Sequence, residues 1–349
     1  MKKILLIITV SFMINQGISK YAGSFLEIGV GARAISMGNA YTAMMGDGYA
    51  FFWNPAGLAT LTNFNVIAQH AKLFNGLENH NVIGVTRPIM GGNYISFNWV
   101  RLTVPDIAWI DSDNRTIYGE NGWSARMEEA SRAQTLEELI ALGTVLTDLP
   151  LSYSDFTNDA FYISFTKMNY YKVDFGWQYF VLPVEMPIGL NVKLLRQKLF
   201  SNSASGFGID FGWMLRFGMN DLMDNENLGK LTLGAAVKDI FRSKLTWDTP
   251  TESSGVIERS INLGVSYWQP IKSMNSSLVF AYDTQKKYDR THHFGVEFLY
   301  GQNLGIRFGL NDGEFAAGVG MKIWLLQMDY AYIGHDLGNS HRISLSLGL

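Results

Sequence analysis

The 349-residue sequence contains no cysteine. That absence excludes disulfides, thiolate metal sites, a cysteine nucleophile and a lipidated N-terminal cysteine together. Proline is scarce, with eight residues, and neither charge sign is in surplus, since 28 Lys and Arg face 31 Asp and Glu. So even a balance offers no polyanion-binding surface, and nucleic acid is not an expected partner. Long hydrophobic runs are missing too. A membrane helix needs about 20 apolar residues; the N-terminal run from Ile4 to Ile14 is shorter, and Ile323 to Leu326 is closed in by Lys322 and Asp329. A chain of this kind can live in a bilayer only as a closed barrel, because only helices and barrels satisfy their backbone hydrogen bonds in lipid.

What is abundant is glycine and aromatic residues: 35 Gly, 22 Phe, 16 Tyr and 9 Trp. This is the composition of many short strands joined by tight turns. Residues 1–19, with Lys2 and Lys3 ahead of an apolar core and small residues at Gly17 and Ser19, read as a signal peptide cleaved after Ser19. From Phe64 onward the apolar residues alternate with period two, as in Ile95/Phe97/Trp99, Val173/Phe175/Trp177/Tyr179, Ile188/Leu190/Val192/Leu194 and Ile306/Phe308. Alternation alone fits either a soluble sandwich with a wet outside or a membrane barrel with a wet inside. Several segments, Met186–Leu199 and Phe207–Phe217 among them, match the roughly 9–11 residues of a membrane strand better than the mode of about 5–6 in soluble sheets. Aromatics such as Trp268, Tyr300 and Trp324 sit near segment ends, where an interfacial girdle would need them. The chain closes on His341–Leu349, a strand suited to pair with the first. The expected fold is therefore all-β, a transmembrane antiparallel β-barrel of about 14 strands. Residues 103–158 interrupt the series and read as a long loop insertion with a helix at Thr135–Thr147.

Familiar catalytic patterns do not hold up. Gly29-Val-Gly31-Ala-Arg-Ala34 has the form of a dinucleotide loop, but only strand alternation follows it where a βαβ unit would be required. His292 and His293 are adjacent in a strand and point to opposite faces. Asp221–Asn227 lacks the glycine and ligand spacing of an EF-hand. No nucleophile elbow, H-E-x-x-H or P-loop lysine occurs, so no enzyme activity, metal or cofactor is expected.

The stretch ahead of the strands is the most particular. Phe25 to Ala40 reads FLEIGVGARAISMGNA, and Asp47, Trp53 and Asn54-Pro55-Ala56-Gly57-Leu58 follow. This order of Gly29, Gly31, Arg33, Met37, Gly38, Asp47, Trp53 and the Asn-Pro-Ala-Gly turn resembles the N-terminal signature of the PorV/PorQ family, outer-membrane barrels related to the FadL fatty-acid transporters. The resemblance implies a Gram-negative outer-membrane protein in which residues 20–62 fold back as a plug inside a barrel formed by residues 63–349. In that role Arg33 needs a counter-charge, for which Asp47 is the nearest acid in the segment, and Pro55 biases Asn54 to an extended turn out of the plug. Met44, Met45, Phe51 and Phe52 are candidate contacts for a hydrophobic ligand; packing against the barrel wall is the plainer reading of such apolar residues. Implied partners are outer-membrane lipid, components or cargo of type IX protein secretion, and, on the alternative of a FadL-like passive transporter, a hydrophobic small molecule such as a long-chain fatty acid.

Overall fold

A computed structural model of the chain describes residues 22–109, 152–174, 176, 181–334 and 338–349. The expected signal peptide and the helix expected at Thr135–Thr147 lie outside the described residues. The strands are β1 (Asn65–Leu73), β2 (Glu78–Ile89), β3 (Asn93–Trp109), β4 (Ser152–Lys167), β5 (Tyr170–Asp174), β6 (Val181–Glu185), β7 (Ile188–Leu199), β8 (Asn202–Gly218) and β9 (Lys230–Lys238). They continue as β10 (Ser243–Trp247), β11 (Ser254–Ile257), β12 (Ser260–Ile271), β13 (Ser276–Lys286), β14 (Arg290–Tyr300), β15 (Leu304–Asn311), β16 (Glu314–Ile323), β17 (Leu326–Ile333) and β18 (Ser340–Gly348).

Fourteen of these make a closed antiparallel wall. β4 pairs directly with β7, and β9 with β12, so the β5–β6 and β10–β11 hairpins stand outside the circuit. The circuit closes where β18 lies against β1, from Asn65 opposite Gly348 to Lys72 opposite His341. Closure leaves the wall without an unpaired edge. The two ends of the barrel are named here for the ends of β18, the Ser340 end and the Gly348 end.

Burial along the strands is inverted relative to a soluble protein. On β7 the exposed positions include Ile188, Leu190 and Leu194, while Asn191, Lys193 and Gln197 are buried; on β14 and β15, Phe294, Val296, Ile306, Phe308 and Leu310 are exposed over buried Glu297 and Arg307. A soluble sandwich would place the apolar set inside. An apolar outer face over a polar interior is the arrangement of a membrane barrel.

Two expectations about the wall need correction. Residues 103–109 and 152–158 are not loop: β3 and β4 stay paired as far as Trp109 opposite Ser152. The sequence hides this because Pro105 and Asp106 break the alternation, and a bulge between Val104 and Ile107, with Asp106 at φ 57°, carries the strand past the proline. Of the expected strand Val173–Tyr179, Val173 and Asp174 are not in the wall either, since they belong to β5, which pairs with β6, and Phe175 and residues 177–179 lie outside the described residues. The strand missing from the alternation is β2, whose ENHNVIGVTRPI carries only a short apolar centre.

The segment before β1 is a chain of short turns: a 3-10 turn at Ser24–Glu27, helical turns at Ala32–Ser36 and Ala50–Trp53, and a 3-10 helix at Pro55–Thr60. Hydrogen bonds tie it to the inward faces of β1, β18, β14, β13, β12, β8 and β4. Contacts on so many strands around the circuit place it in the lumen. The segment's backbone comes closest to the wall at Gly309, where an added Cβ would stand 2.1 Å from the Gly38 nitrogen.

Candidate functional site

The centre of the lumen is an ionic chain that joins the inner segment to the wall. Arg33, on the turn Ala32–Ser36, donates from Nε to Glu297 Oε1 at 3.0 Å and from Nη2 to Oε2 at 2.5 Å. Arg307 reaches the same Glu297 Oε1 at 2.5 Å and donates from Nη1 to Asp329 Oδ1 at 2.7 Å. The Glu297 side chain is 0% exposed and that of Arg307 2%. Buried charges of this kind persist only when they are paired and hydrogen-bonded.

Asp47 is therefore not the ion-pair partner of Arg33. Its Oδ2 accepts from the Tyr41 hydroxyl at 2.5 Å and its Oδ1 from the Tyr49 amide at 2.9 Å, which folds the segment on itself. Burial pushes the Tyr41 phenol well above its ordinary pKa, so it stays a donor. Glu297 was not visible as a partner within the segment because it comes from the wall. The strand sequences do carry a signal, since Glu297, Arg307 and Asp329 are charged residues on the inward face in the middle of alternating strands.

The remaining motif residues hold the segment in shape and in place. The Gly31 amide donates to Gln69 Oε1 at 2.6 Å and the Ala32 amide to Ser344 Oγ at 3.0 Å, so wall side chains satisfy the free amides at the start of the turn. Arg342 donates to the carbonyls of Gly29 and Ile28. Trp53 donates from Nε1 to the Val30 carbonyl at 2.9 Å. Met37 and Gly38 pack on Gly295 and Gly309. Asn54, fully buried, accepts the Ala56 amide on Oδ1 at 3.1 Å and donates from Nδ2 to the Thr42 carbonyl at 2.8 Å. The Pro55 carbonyl accepts from Thr166 Oγ1, and the Gly57 amide returns to the Asn54 carbonyl.

Of the candidate ligand contacts, Met44, Phe51 and Phe52 are buried and Met45 is half-buried. Phe51 and Phe52 meet the wall residue Tyr162 with ring centroids 5.1 and 6.3 Å away. All four residues stand apart from three cavities seen in the structure.

Two of those cavities face each other across the turn Ala32–Ser36. The first, about 240 Å³ at the Ser340 end, is lined by Ile28, Ile35, Leu73, Phe74, Ile333 and Arg342, among others. The second, about 180 Å³ at the Gly348 end, is polar and reaches up to Arg33 and Arg307. Ile35 borders one and Arg33 the other, so a single turn of chain separates them. A third cavity of about 500 Å³ lies at the Gly348 end between the β5–β6 hairpin and β8, with Tyr170, Tyr171, Pro183, Val184 and Phe217 beside the Arg216–Glu185 ion pair.

No protein-family model matches the chain, and no curated protein matches it in sequence. Among solved structures it is similar to the Pseudomonas putida toluene transporter TodX, with 10% identity and a TM-score of 0.45 over 92% of this chain and 99% of that one. A deltaS2S3 mutant of TodX, described as a monoaromatic hydrocarbon channel, gives 11% identity and a TM-score of 0.46 over the same shares. The Acinetobacter baumannii outer-membrane protein Omp33 gives 8% identity and a TM-score of 0.39 over 82% of this chain and 98% of that one.

Proposed function

We propose that the chain is a non-enzymatic outer-membrane barrel that passes small hydrophobic compounds, with residues 20–62 as its plug and the turn Ala32–Ser36 as the part that opens. The observation that carries this reading is the position of that turn between two cavities, with Ile35 facing one and Arg33 the other. The size of the cavity at the Ser340 end bears on the class of solute. At about 240 Å³ it exceeds the 150 Å³ or so that holds a benzene ring, and it falls below the 300 Å³ or more of pockets for drug-sized ligands. A single aromatic ring therefore suits it better than a long acyl chain.

Toluene, the compound named for TodX, is the probe to test first. Liposomes containing the purified protein are expected to take up toluene faster than empty liposomes, and faster still when Gly31–Tyr49 is deleted. Uptake no faster than through empty liposomes, with or without the deletion, would remove the transport reading. The order of motifs from Gly29 to Gly57 favours a second reading, a PorV/PorQ-type component of type IX secretion. Co-purification of secretion cargo from the native membrane, with no toluene uptake, would select it.

A further inference from the structure

On the outer surface of the barrel the apolar belt gives way to a polar row that carries Arg101 and Arg196 along one set of strands. Antiparallel partners directly opposite one another share a face of the sheet. Arg101 on β3 stands opposite Asp159 on β4, Asp159 opposite Arg196 on β7, Arg196 opposite Ser205 on β8, and Ser205 opposite Thr246 on β10. All five lie on the outward face, one step beyond the exposed Phe161, Leu194 and Phe207 towards the Ser340 end. One further step along, Lys198 lies between Thr157 and Ser203.

The acids nearby accept hydrogen bonds from the protein: Asp155, two residues from Thr157, takes the Asp106 amide on Oδ1 at 3.2 Å. Asp159 accepts from Trp99 Nε1 at 2.7 Å and from Arg101 through both carboxylate oxygens, at 2.7 and 2.9 Å. Asp248 accepts from the amide and hydroxyl of Ser203. Arg196 and Lys198 are exposed, and among the described residues neither makes an ion pair or a side-chain hydrogen bond. The patch therefore presents two unpaired cations with the hydroxyls of Ser205, Thr246 and Thr157 around them. A guanidinium fork and an ammonium flanked by hydroxyl donors match a phosphate group.

We propose that Arg196 and Lys198 bind the phosphate of a phosphorylated lipid in the leaflet at the Ser340 end. The choice of a lipid follows from continuity: the row begins where the tail-facing belt of Phe161, Leu194 and Phe207 stops, so a molecule whose acyl chains lie on that belt brings its headgroup to Arg196. This rests on the membrane-barrel reading but is independent of what the barrel transports.

The test uses full-length protein purified in detergent and mixed with lipid A carrying both phosphates or with the same lipid stripped of them; retained lipid is counted by native mass spectrometry. The wild type is expected to prefer the phosphorylated lipid. Arg196→Ala with Lys198→Ala should retain it about tenfold more weakly or worse. Arg87→Ala with Lys167→Ala, outward cations at the Gly348 end, removes the same charge and should leave retention unchanged. Equal retention of the two lipids by the wild type, equal loss in both double variants, or displacement of lipid A by inorganic phosphate at equal concentration would each overturn the proposal. Faster migration on unheated gels reports the intact barrel separately, so a failed barrel is distinguishable from a failed lipid site.

Discussion

Arg33 and Glu297 are 264 positions apart in the chain and meet through two hydrogen bonds in the lumen. The contact is not symmetrical. Glu297 also holds Arg307, so removing Glu297 leaves two guanidinium groups with Asp329 as their one remaining carboxylate in the chain of ion pairs, whereas removing Arg33 leaves Arg307 with two. Glu297→Ala is expected to destabilise the barrel by about 3–5 kcal/mol, the cost of stranding buried charge, and Arg33→Ala by clearly less. Thermal unfolding followed by gel migration measures both. If the turn is the gate, both variants also raise toluene uptake; equal stability losses would contradict the asymmetry.

Gly309 tests how tightly the segment is seated. Its Cβ position is 2.1 Å from the Gly38 nitrogen, which is backbone and cannot rotate away. Gly309→Ala should cost about 1–3 kcal/mol, as overpacking generally does. Trypsin sensitivity at Arg33 should rise with it. A variant as stable and as protease-resistant as the wild type would show that the segment yields easily at this point.

Asn54 makes a different kind of contact. Both ends of its amide are used in a site without water access, so Asn54→Ala leaves the Ala56 amide and the Thr42 carbonyl without that partner. A loss of about 1–3 kcal/mol is expected. Asn54→Asp keeps the acceptor for Ala56 but loses the donor, and should lie no closer to the wild type than the alanine variant.

The β5–β6 hairpin should be dispensable for assembly. Because β4 and β7 pair from Thr157–Lys198 to Lys167–Ile188, a short turn replacing residues 170–185 leaves the wall hydrogen bonds in place. Heat-modifiable migration is expected to persist with little change in the unfolding temperature. Loss of the folded form would make the hairpin part of the wall after all.

The barrel was legible because its strands obey one rule along most of their length: Ile188 to Leu199 or Leu304 to Asn311 alternate cleanly, and the last strand runs to its pairing with β1. Legibility failed where polar residues sit on the outward face. β2 is blurred by Asn79 and Asn81, and the far parts of β3 and β4 rise past the apolar belt, so apolar alternation no longer marks them as strand. The segment's motif was readable as a motif, but its partners were not. Gln69, Glu297, and the pair Arg342 and Ser344 belong to three different strands, and only the closed circuit brings them to residues 28–33.

The seam between β1 and β18 also sets an order of events. Gly38 and Gly309 leave no clearance for a chain to slide past, and the Ala32 amide is held by Ser344, within the final strand. A finished cylinder could not be threaded afterwards. The inner segment is therefore expected to take its place while the sheet is still open, with the last strand shutting it in, which would make assembly the wrapping of a wall around a core that arrives first.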